Sequence, residues 1–292
     1  MKKLKNFIAL SLAFSLCLSC SCKKKVEIEP DTRDPRGSAI ILDGKTVVVS
    51  IFANDYISEW DFTDENDIKT RENILSDLGV ALDYITTESR KWDKNAEFVY
   101  DWNENPDLYA ERNVPTEGAY MHYSAAHYMR KIISVTFDYY ELLEKYDATN
   151  VIYMYYYNTP IEETELDATA FANDYSEFSY EYCGFPLYIY GKPLTPSIYA
   201  HEILHLFGAP DYYSAMEFTH SITPEYVEYC AEHHPTEIMF KSRCEDETIT
   251  SELAEITAYY VGWTDKSSEV EQFGLGLSKH IPENETKEPA VN

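Results

Sequence analysis

The chain has 292 residues, of which 45% are hydrophobic, and this composition is typical of a globular protein and not of a disordered or fibrous one. The formal net charge is −27, which argues against nucleic acid and anionic membrane surfaces as partners because like charges repel. One domain with short appendages accounts for this length.

The first 22 residues are predicted to be a signal peptide. Three lysines precede an apolar run at residues 7–18 that is too short to span a bilayer comfortably. The run ends in LCLSCSC, which resembles a bacterial lipoprotein signal, where a cysteine after a small residue carries the lipid. Cys20 fits this position best, and Cys22 is the alternative. The resemblance implies an exported protein held at the bacterial cell envelope by a lipid anchor, and an ordinary secretion signal is the other interpretation.

A charged, proline-containing segment at 23–40 is predicted to be a tether, and a single domain is placed at 41–265. The domain opens with a strand rich in Val and Ile, Thr46–Phe52. A helix is predicted over 65–91, because apolar residues recur there at spacings of three, four and seven. The polar segment at 266–292 is predicted to be a loose tail.

The middle of the domain is predicted to alternate between strands and helices. The predicted elements are a strand over 96–100, a helix over 122–146, a buried strand over 151–157, an acidic loop over 161–180 and a short strand over 185–190. Beyond the next helix, the chain is interpreted as irregular to about residue 247, and a further helix is predicted over 251–261. There are no internal repeats and no sign of a second domain.

The segment HEILH carries the strongest chemical signal in the sequence. A helix is predicted around it with clear boundaries. Thr195 can cap its start, and Pro196 fits the first helical position, where proline costs nothing. Gly208 can end it in a left-handed conformation, and Pro210 prevents its continuation.

His201 and His205 are four residues apart on this helix, about 40° around its axis, so that both imidazoles can reach one metal ion. Glu202 lies at the margin of the same face, where it can reach a water on the metal. A catalytic zinc requires a third protein ligand, and the turn after the helix can bring Asp211 to the ion. HExxH alone also arises by chance on a solvated helix face. The prediction of a metal site therefore depends on Gly208, Asp211 and the predicted signal peptide as well.

The stretch HEILHLFGAPD resembles the extended HExxHxxGxxH signature of the metzincin metallopeptidases, with aspartate in place of the last histidine. In this it is similar to the snapalysin-like and immune-inhibitor-A-like branches. Metzincins also carry a methionine turn beneath the metal, for which Met239 is the best match and Met216 the competitor. The resemblance implies an α+β fold, with a twisted mixed sheet and backing helices over an active-site helix and a C-terminal helix.

The same resemblance implies an enzyme that hydrolyses peptide bonds, with zinc as cofactor and Glu202 as general base. The expected partner is a protein or peptide substrate, which would pair with the predicted strand at 185–190. We expect a monomer that touches the membrane only through its lipid. The alternative is a zinc-binding, adhesin-like surface lipoprotein without proteolysis, but binding alone does not require the glutamate.

Three cysteines lie beyond the leader, at positions 183, 230 and 244. Cys230 and Cys244 are close enough to close a short loop, and an exported protein can form disulfides, so a bond between them is an open hypothesis. The cysteine spacings do not match a structural zinc site. His233 and His234 are interpreted as residues outside the metal ligand set.

Overall fold

The computed structural model describes residues 37–115, 123–158, 168–171, 176–182, 188–189, 192–193, 195–215, 222–245 and 248–281. The predicted signal peptide, including Cys20 and Cys22, lies outside these residues, as does most of the predicted tether. Among the helices that the structure describes, none is both long and apolar enough to cross a membrane.

A sheet of six strands forms the centre of the fold. Its strands are β1 (Gly44–Asn54), β2 (Ala96–Val99), β3 (Tyr109–Asn113), β4 (Asn150–Tyr157), β5 (Ala168–Phe171) and β6 (Phe178–Tyr182). β1 pairs in parallel with β2, β3 and β4, and β4 pairs in parallel with β6. Among the described strands of this sheet, β5 alone is antiparallel, and it pairs with β6 at the end of the strand order. Two short hairpins lie outside the sheet: β7 (Tyr188–Ile189) with β8 (Lys192–Pro193), and β9 (Cys244–Glu245) with β10 (Thr248–Ile249).

Helices cover both faces of the sheet. The described helices are α1 (Glu65–Arg90), α2 (Tyr123–Thr136), α3 (Tyr139–Tyr146), α4 (Pro196–Leu206), α5 (Pro224–His233), α6 (Glu255–Tyr260) and α7 (Ser268–Phe273). All eight residues of β4 are buried, as expected for an inner strand covered on both faces. Ile152 and Met154 lie in the core that includes α1 and α4, whereas Val151 and Tyr153 lie in the core that includes α2 and α3. The fold is mixed α and β with a mainly parallel sheet, which agrees with the α+β class in its general form.

The predicted helix over 122–146 is two helices in the structure. α2 ends at Thr136, and Asp138 then adopts an extended conformation in which its side chain accepts hydrogen bonds from two backbone N–H groups at the start of α3. An aspartate in this position starts a new helix because it satisfies N–H groups that have no partner within the helix. Both helices contribute to the same core, so the apolar stripe continues across the break.

Three other predicted segments differ from the structure. The acidic segment at 161–180 contains β5 and the start of β6, which are held by pairing with the sheet and not by their own apolar pattern. The strand predicted over 185–190 is described at Tyr188–Ile189, which pairs with β8 and not with the central sheet. The region interpreted as irregular before residue 247 contains α5, whose N-terminus is capped by Thr223.

The predicted tail at 266–292 is folded in its described part. Val270 and Leu275 are buried, and α7 begins with a serine cap. Lys279 donates a hydrogen bond from Nζ to the backbone oxygen of Leu206 at 2.7 Å, at the C-terminal end of α4. The domain therefore extends well past its predicted end, because a few apolar contacts are enough to hold a segment whose outer face is polar.

The domain also begins slightly earlier than predicted. The fully buried carboxylate of Glu177 accepts hydrogen bonds from the backbone N–H and the hydroxyl of Ser38 and from the N–H of Ala39. Both residues fall within the segment predicted to be a tether, and in the structure they belong to the fold.

Candidate metal centre

The helix that carries HEILH is α4, and its ends match the predicted boundaries. Thr195 is the N-cap and Pro196 is the first helical residue, although the Thr195 hydroxyl bonds to the Ser197 hydroxyl at 2.8 Å and caps no backbone group. At the other end, Gly208 has a φ of +107°. Its N–H donates to the His205 oxygen at 2.9 Å, and the next N–H donates to the Leu204 oxygen at 3.1 Å. This pair of bonds is the Schellman arrangement, which turns the chain back beneath the helix.

The turn brings Asp211 to the two histidines. Asp211 Oδ1 lies 3.1 Å from His201 Nε2 and 3.2 Å from His205 Nε2, and the two Nε2 atoms lie 3.0 Å apart. Four ligands at tetrahedral angles with zinc bonds of about 2.0–2.1 Å would stand about 3.3 Å apart. The three atoms therefore have close to the separation that one tetrahedral ion requires, and they form the one group of three or more potential metal ligands found in the described residues.

Main-chain carbonyls orient both imidazole rings. His201 Nδ1 lies 3.0 Å from the oxygen of Ile238, and His205 Nδ1 lies 2.6 Å from the oxygen of Ala209. Since a carbonyl only accepts, each Nδ1 carries a hydrogen, and in the neutral imidazole each Nε2 presents a lone pair to the centre of the cluster. This is the arrangement in which metal-binding histidines are usually held.

The cluster consists of acceptors that face one another. With both Nε2 atoms unprotonated, Asp211 Oδ1 is a buried oxygen without a hydrogen-bond donor among the described residues. Such an arrangement is costly unless a cation or a proton lies between the three atoms. A metal ion of tetrahedral preference satisfies all three at once, so the donor set and its geometry fit a bound zinc.

The same cluster holds a proton when no metal competes for it. Burial disfavours a charged imidazole at His201, but the hydrogen bond to Asp211 and the charges of Glu202 and Asp211 outweigh this effect and raise the pKa of His201 to about 9. Burial also disfavours the charged carboxylate of Asp211, but the two histidines lower its pKa well below the usual range. The site is therefore built to stabilise positive charge next to Asp211.

Glu202 is buried, with 6% of its surface exposed, and follows the first histidine on α4. Its negative charge is one of the causes that raise the pKa of His201. The structure thus brings His201, His205 and Asp211 into one cluster, with Glu202 next to His201 on α4.

Met239 is fully buried in the turn below the cluster. Its neighbour Ile238 supplies the carbonyl that holds His201, and the Met239 oxygen accepts a hydrogen bond from the N–H of Tyr212 at 3.0 Å. The predicted turn therefore lies directly against two of the three ligand positions. The competitor, Met216, lies outside the described residues.

A buried polar group that sequence reasoning missed, Glu237, supports this turn. Glu237 is 1% exposed and lies in the same short segment as the methionine. Burial raises its pKa to about 7, although hydrogen bonds from Thr257 and from backbone N–H groups act in the opposite direction and lower it. The acid in TEIMF is visible in the sequence, but one of its partners comes from a distant helix, which no local pattern reveals.

The remaining candidate residues stand apart from the cluster. His234 pairs with Glu269 at 2.7 Å, and the ring of His233 stacks on Tyr229. Cys230 and Cys244 are not joined to each other, so the disulfide hypothesis is wrong for this pair. Cys230 is instead a buried thiol on α5, and Cys183 lies outside the described residues.

Comparison with known proteins gives no match, whether with family models, with curated proteins or with solved structures. A function for this chain is therefore inferred from the motif and from the geometry of the cluster.

Proposed function

We propose that the chain is an exported, zinc-dependent endopeptidase of metzincin type. The observation that supports it best is the convergence of His201 Nε2, His205 Nε2 and Asp211 Oδ1, with both Nδ1 hydrogens fixed by main-chain carbonyls. Two imidazole nitrogens and one carboxylate form a ligand set that suits zinc and leaves a fourth position open for catalysis. The lipoprotein-like leader supports export, with the domain tethered at the cell envelope.

The reaction that this site supports is the addition of water to a peptide carbonyl. Zinc, when bound, supplies a Lewis acid that polarises the carbonyl and makes the attacking water more acidic. Glu202 accepts the proton that the water loses as its oxygen bonds to the carbonyl carbon. It then passes this proton to the amine nitrogen as the C–N bond breaks, so that the products are a carboxylate and a free amine. The burial of Glu202 keeps bulk water from competing for this proton.

Among the described strands, β5 is the one beside the motif helix. Tyr188–Ile189, the described part of the segment predicted to be the substrate-binding edge, pairs with β8 instead. β5 pairs with β6 on one side, ends the strand order of the central sheet and contacts α4. An extended peptide that adds to this edge would lie next to the helix that carries His201 and Glu202. In the proposed complex the substrate backbone therefore runs along Ala168–Phe171.

Metal content and the role of Glu202 test the proposal together. The purified protein should contain about one zinc per chain and should cleave an unfolded protein such as casein, and a chelator should stop cleavage. Glu202→Ala should retain zinc but lose turnover by a factor of about 100 or more, because a general base is missing while the ligands remain. His205→Ala should lose both zinc and turnover.

Each failure has a distinct meaning. Protein without zinc after exposure to the metal would refute the metal site. Zinc-loaded protein that cleaves no unfolded protein would favour the adhesin-like alternative, and full activity in Glu202→Ala would refute the assignment of the base.

A further inference from the structure

The carboxylate of Glu237 joins the turn below the metal cluster to α6. Its Oε1 accepts a hydrogen bond from the hydroxyl of Thr257 at 2.6 Å. Its Oε2 accepts from the N–H groups of Met239 at 2.5 Å and Phe240 at 3.2 Å. Because Glu237 is almost completely buried, water cannot replace these bonds if one of the partners is removed.

The turn that Glu237 holds is bonded to the ligand His201 and to Tyr212, the neighbour of the ligand Asp211. The carbonyl of Ile238 accepts from Nδ1 of His201. The carbonyl of Met239 accepts from the N–H of Tyr212, the residue that follows Asp211. The hydroxyl of Tyr212 in turn lies 3.0 Å from the hydroxyl of Thr257, so that this segment is tied to the same network from its other side.

We propose that Glu237 is a positioning residue for the metal centre. By fixing the amides of Met239 and Phe240 it sets the direction of the two carbonyls to which His201 and Tyr212 are bonded. The proposal rests on the proposed zinc function, since it assigns a role in arranging the ligands of that site. Glu237 does not reach the ligand atoms themselves and takes no part in the chemistry.

The effect expected from this role is on metal affinity. Loss of the carboxylate leaves the N–H of Met239 without its acceptor, whereas the N–H of Phe240 keeps its bond to the main-chain oxygen of Glu237 at 3.1 Å. The N–H of Met239 belongs to the same peptide group as the Ile238 carbonyl, so this carbonyl loses the support that orients the ring of His201. Mutation of residues that support the metal ligands without binding the metal typically lowers metal affinity by about 10–100-fold. A glutamate that served only to stabilise the fold would lower the free energy of unfolding and leave the affinity of folded protein unchanged.

Two substitutions separate the hydrogen bonds from the charge. Glu237→Met keeps the approximate size and removes both acceptors. Glu237→Gln keeps one carbonyl oxygen for the amides of Met239 and Phe240, and its NH₂ group can donate to the hydroxyl of Thr257, which is free to rotate and accept. We expect the methionine variant to bind metal about 10–100-fold more weakly, and the glutamine variant to stay within a few fold of the original protein.

Glu269→Met is the matched control. Glu269 is also a buried glutamate, and it accepts from the hydroxyl of Tyr226 at 2.8 Å and bonds to His234. These contacts link α5 to α7 and do not involve the turn at 237–240. The control should therefore lose stability without losing metal affinity.

The experiment is titration of the full-length chain and the three variants with zinc and with cobalt(II), whose visible absorption reports the coordination geometry. Circular dichroism establishes that each protein is folded. Weak binding and an altered cobalt spectrum in Glu237→Met alone would support the proposal. If Glu237→Met does not fold, Thr257→Val, which removes the donor to Oε1 and the link to Tyr212, should weaken binding in the same direction, and unchanged binding would overturn the proposal.

Two further results would also overturn it. One is a folded Glu237→Met variant with the affinity and cobalt spectrum of the control. The other is an equal loss in Glu237→Gln and Glu237→Met, which would show that the charge matters and the hydrogen bonds do not. Absence of metal binding in the original protein is a different outcome, because it refutes the proposed zinc function before any variant is compared.

Discussion

Gly208 provides a direct test of the turn that brings Asp211 to the histidines. Its φ of +107° is one that residues with a Cβ rarely adopt, and a Cβ there would lie 3.1 to 3.3 Å from carbons of the Lys279 side chain. A residue held in so sparsely populated a conformation costs about 1–3 kcal/mol, and the crowding adds to this. We therefore expect Gly208→Ala to lower the free energy of unfolding of the metal-free protein by about 2–3 kcal/mol.

The substitution should also weaken metal binding. Gly208 precedes Ala209, whose carbonyl oxygen accepts from Nδ1 of His205 at 2.6 Å. Any backbone adjustment that relieves the strain at Gly208 moves this carbonyl, and with it the ring that presents a ligand. An exposed glycine that ends α7, Gly274, offers a control, because its φ is +61° and a Cβ added there would have no atom within 4 Å.

Denaturation by urea in the presence of a chelator measures the first effect, and zinc titration of the folded variants measures the second. Gly274→Ala should lose about 1 kcal/mol, the usual cost of a left-handed residue, and should bind zinc normally. If Gly208→Ala were no less stable than Gly274→Ala and bound zinc equally well, the turn would not depend on its glycine, and the role assigned to Gly208 in directing Asp211 would be wrong.

Three further predictions concern other parts of the chain. In the metal-free protein the pKa of Glu237 is raised from 4.5 to about 7, so the folded state keeps a proton that the unfolded state releases. The free energy of unfolding should therefore fall by about 3 kcal/mol as the pH rises from about 4.5 to 7, and the same urea series on Glu237→Gln should lack this fall. Lys279→Met should lower stability by about 1–2 kcal/mol, as measured by urea denaturation, because the carbonyl of Leu206 loses a charged donor at the end of α4. Cys20→Ala should abolish the incorporation of labelled palmitate into the protein in a bacterial host, whereas retained label would favour Cys22 as the lipidated residue.

The metal cluster could be predicted from the sequence because its geometry is mostly local. Helical spacing alone places His201 and His205 on one face, and the glycine that ends the helix determines where Asp211 can reach. The structure confirms that these three side chains converge. Ile238, the neighbour of Met239, supplies the carbonyl that lies 3.0 Å from Nδ1 of His201, and the role of Met239 itself stays a prediction. The identity of the ion and the reaction stay predictions.

The short strands were not predictable in the same way. β3, β5 and β6 have four or five residues each and include charged or small side chains, so their stability comes from pairing: β3 with β1, β6 with β4 and β5 with β6. A strand of this kind has no pattern of its own until its neighbour is known. The long inner strands were predicted correctly, because β1 and β4 are buried along nearly their whole length and their apolar runs are continuous.

The two histidines differ in how the rest of the chain holds them. The partner of His205 is a carbonyl four residues away, which the motif itself provides, whereas the partner of His201 lies 37 residues away. An isolated helix with the HEILH sequence could thus orient one ring but not the other. High metal affinity should therefore require the folded turn below the helix, and metal binding should stabilise that turn in return, since binding that occurs only in the folded state adds to its stability. In a chain that has HExxH but no such distant partner, the ring of the first histidine would not be oriented. This is the physical reason why the motif alone is only a moderate indication of a metal site.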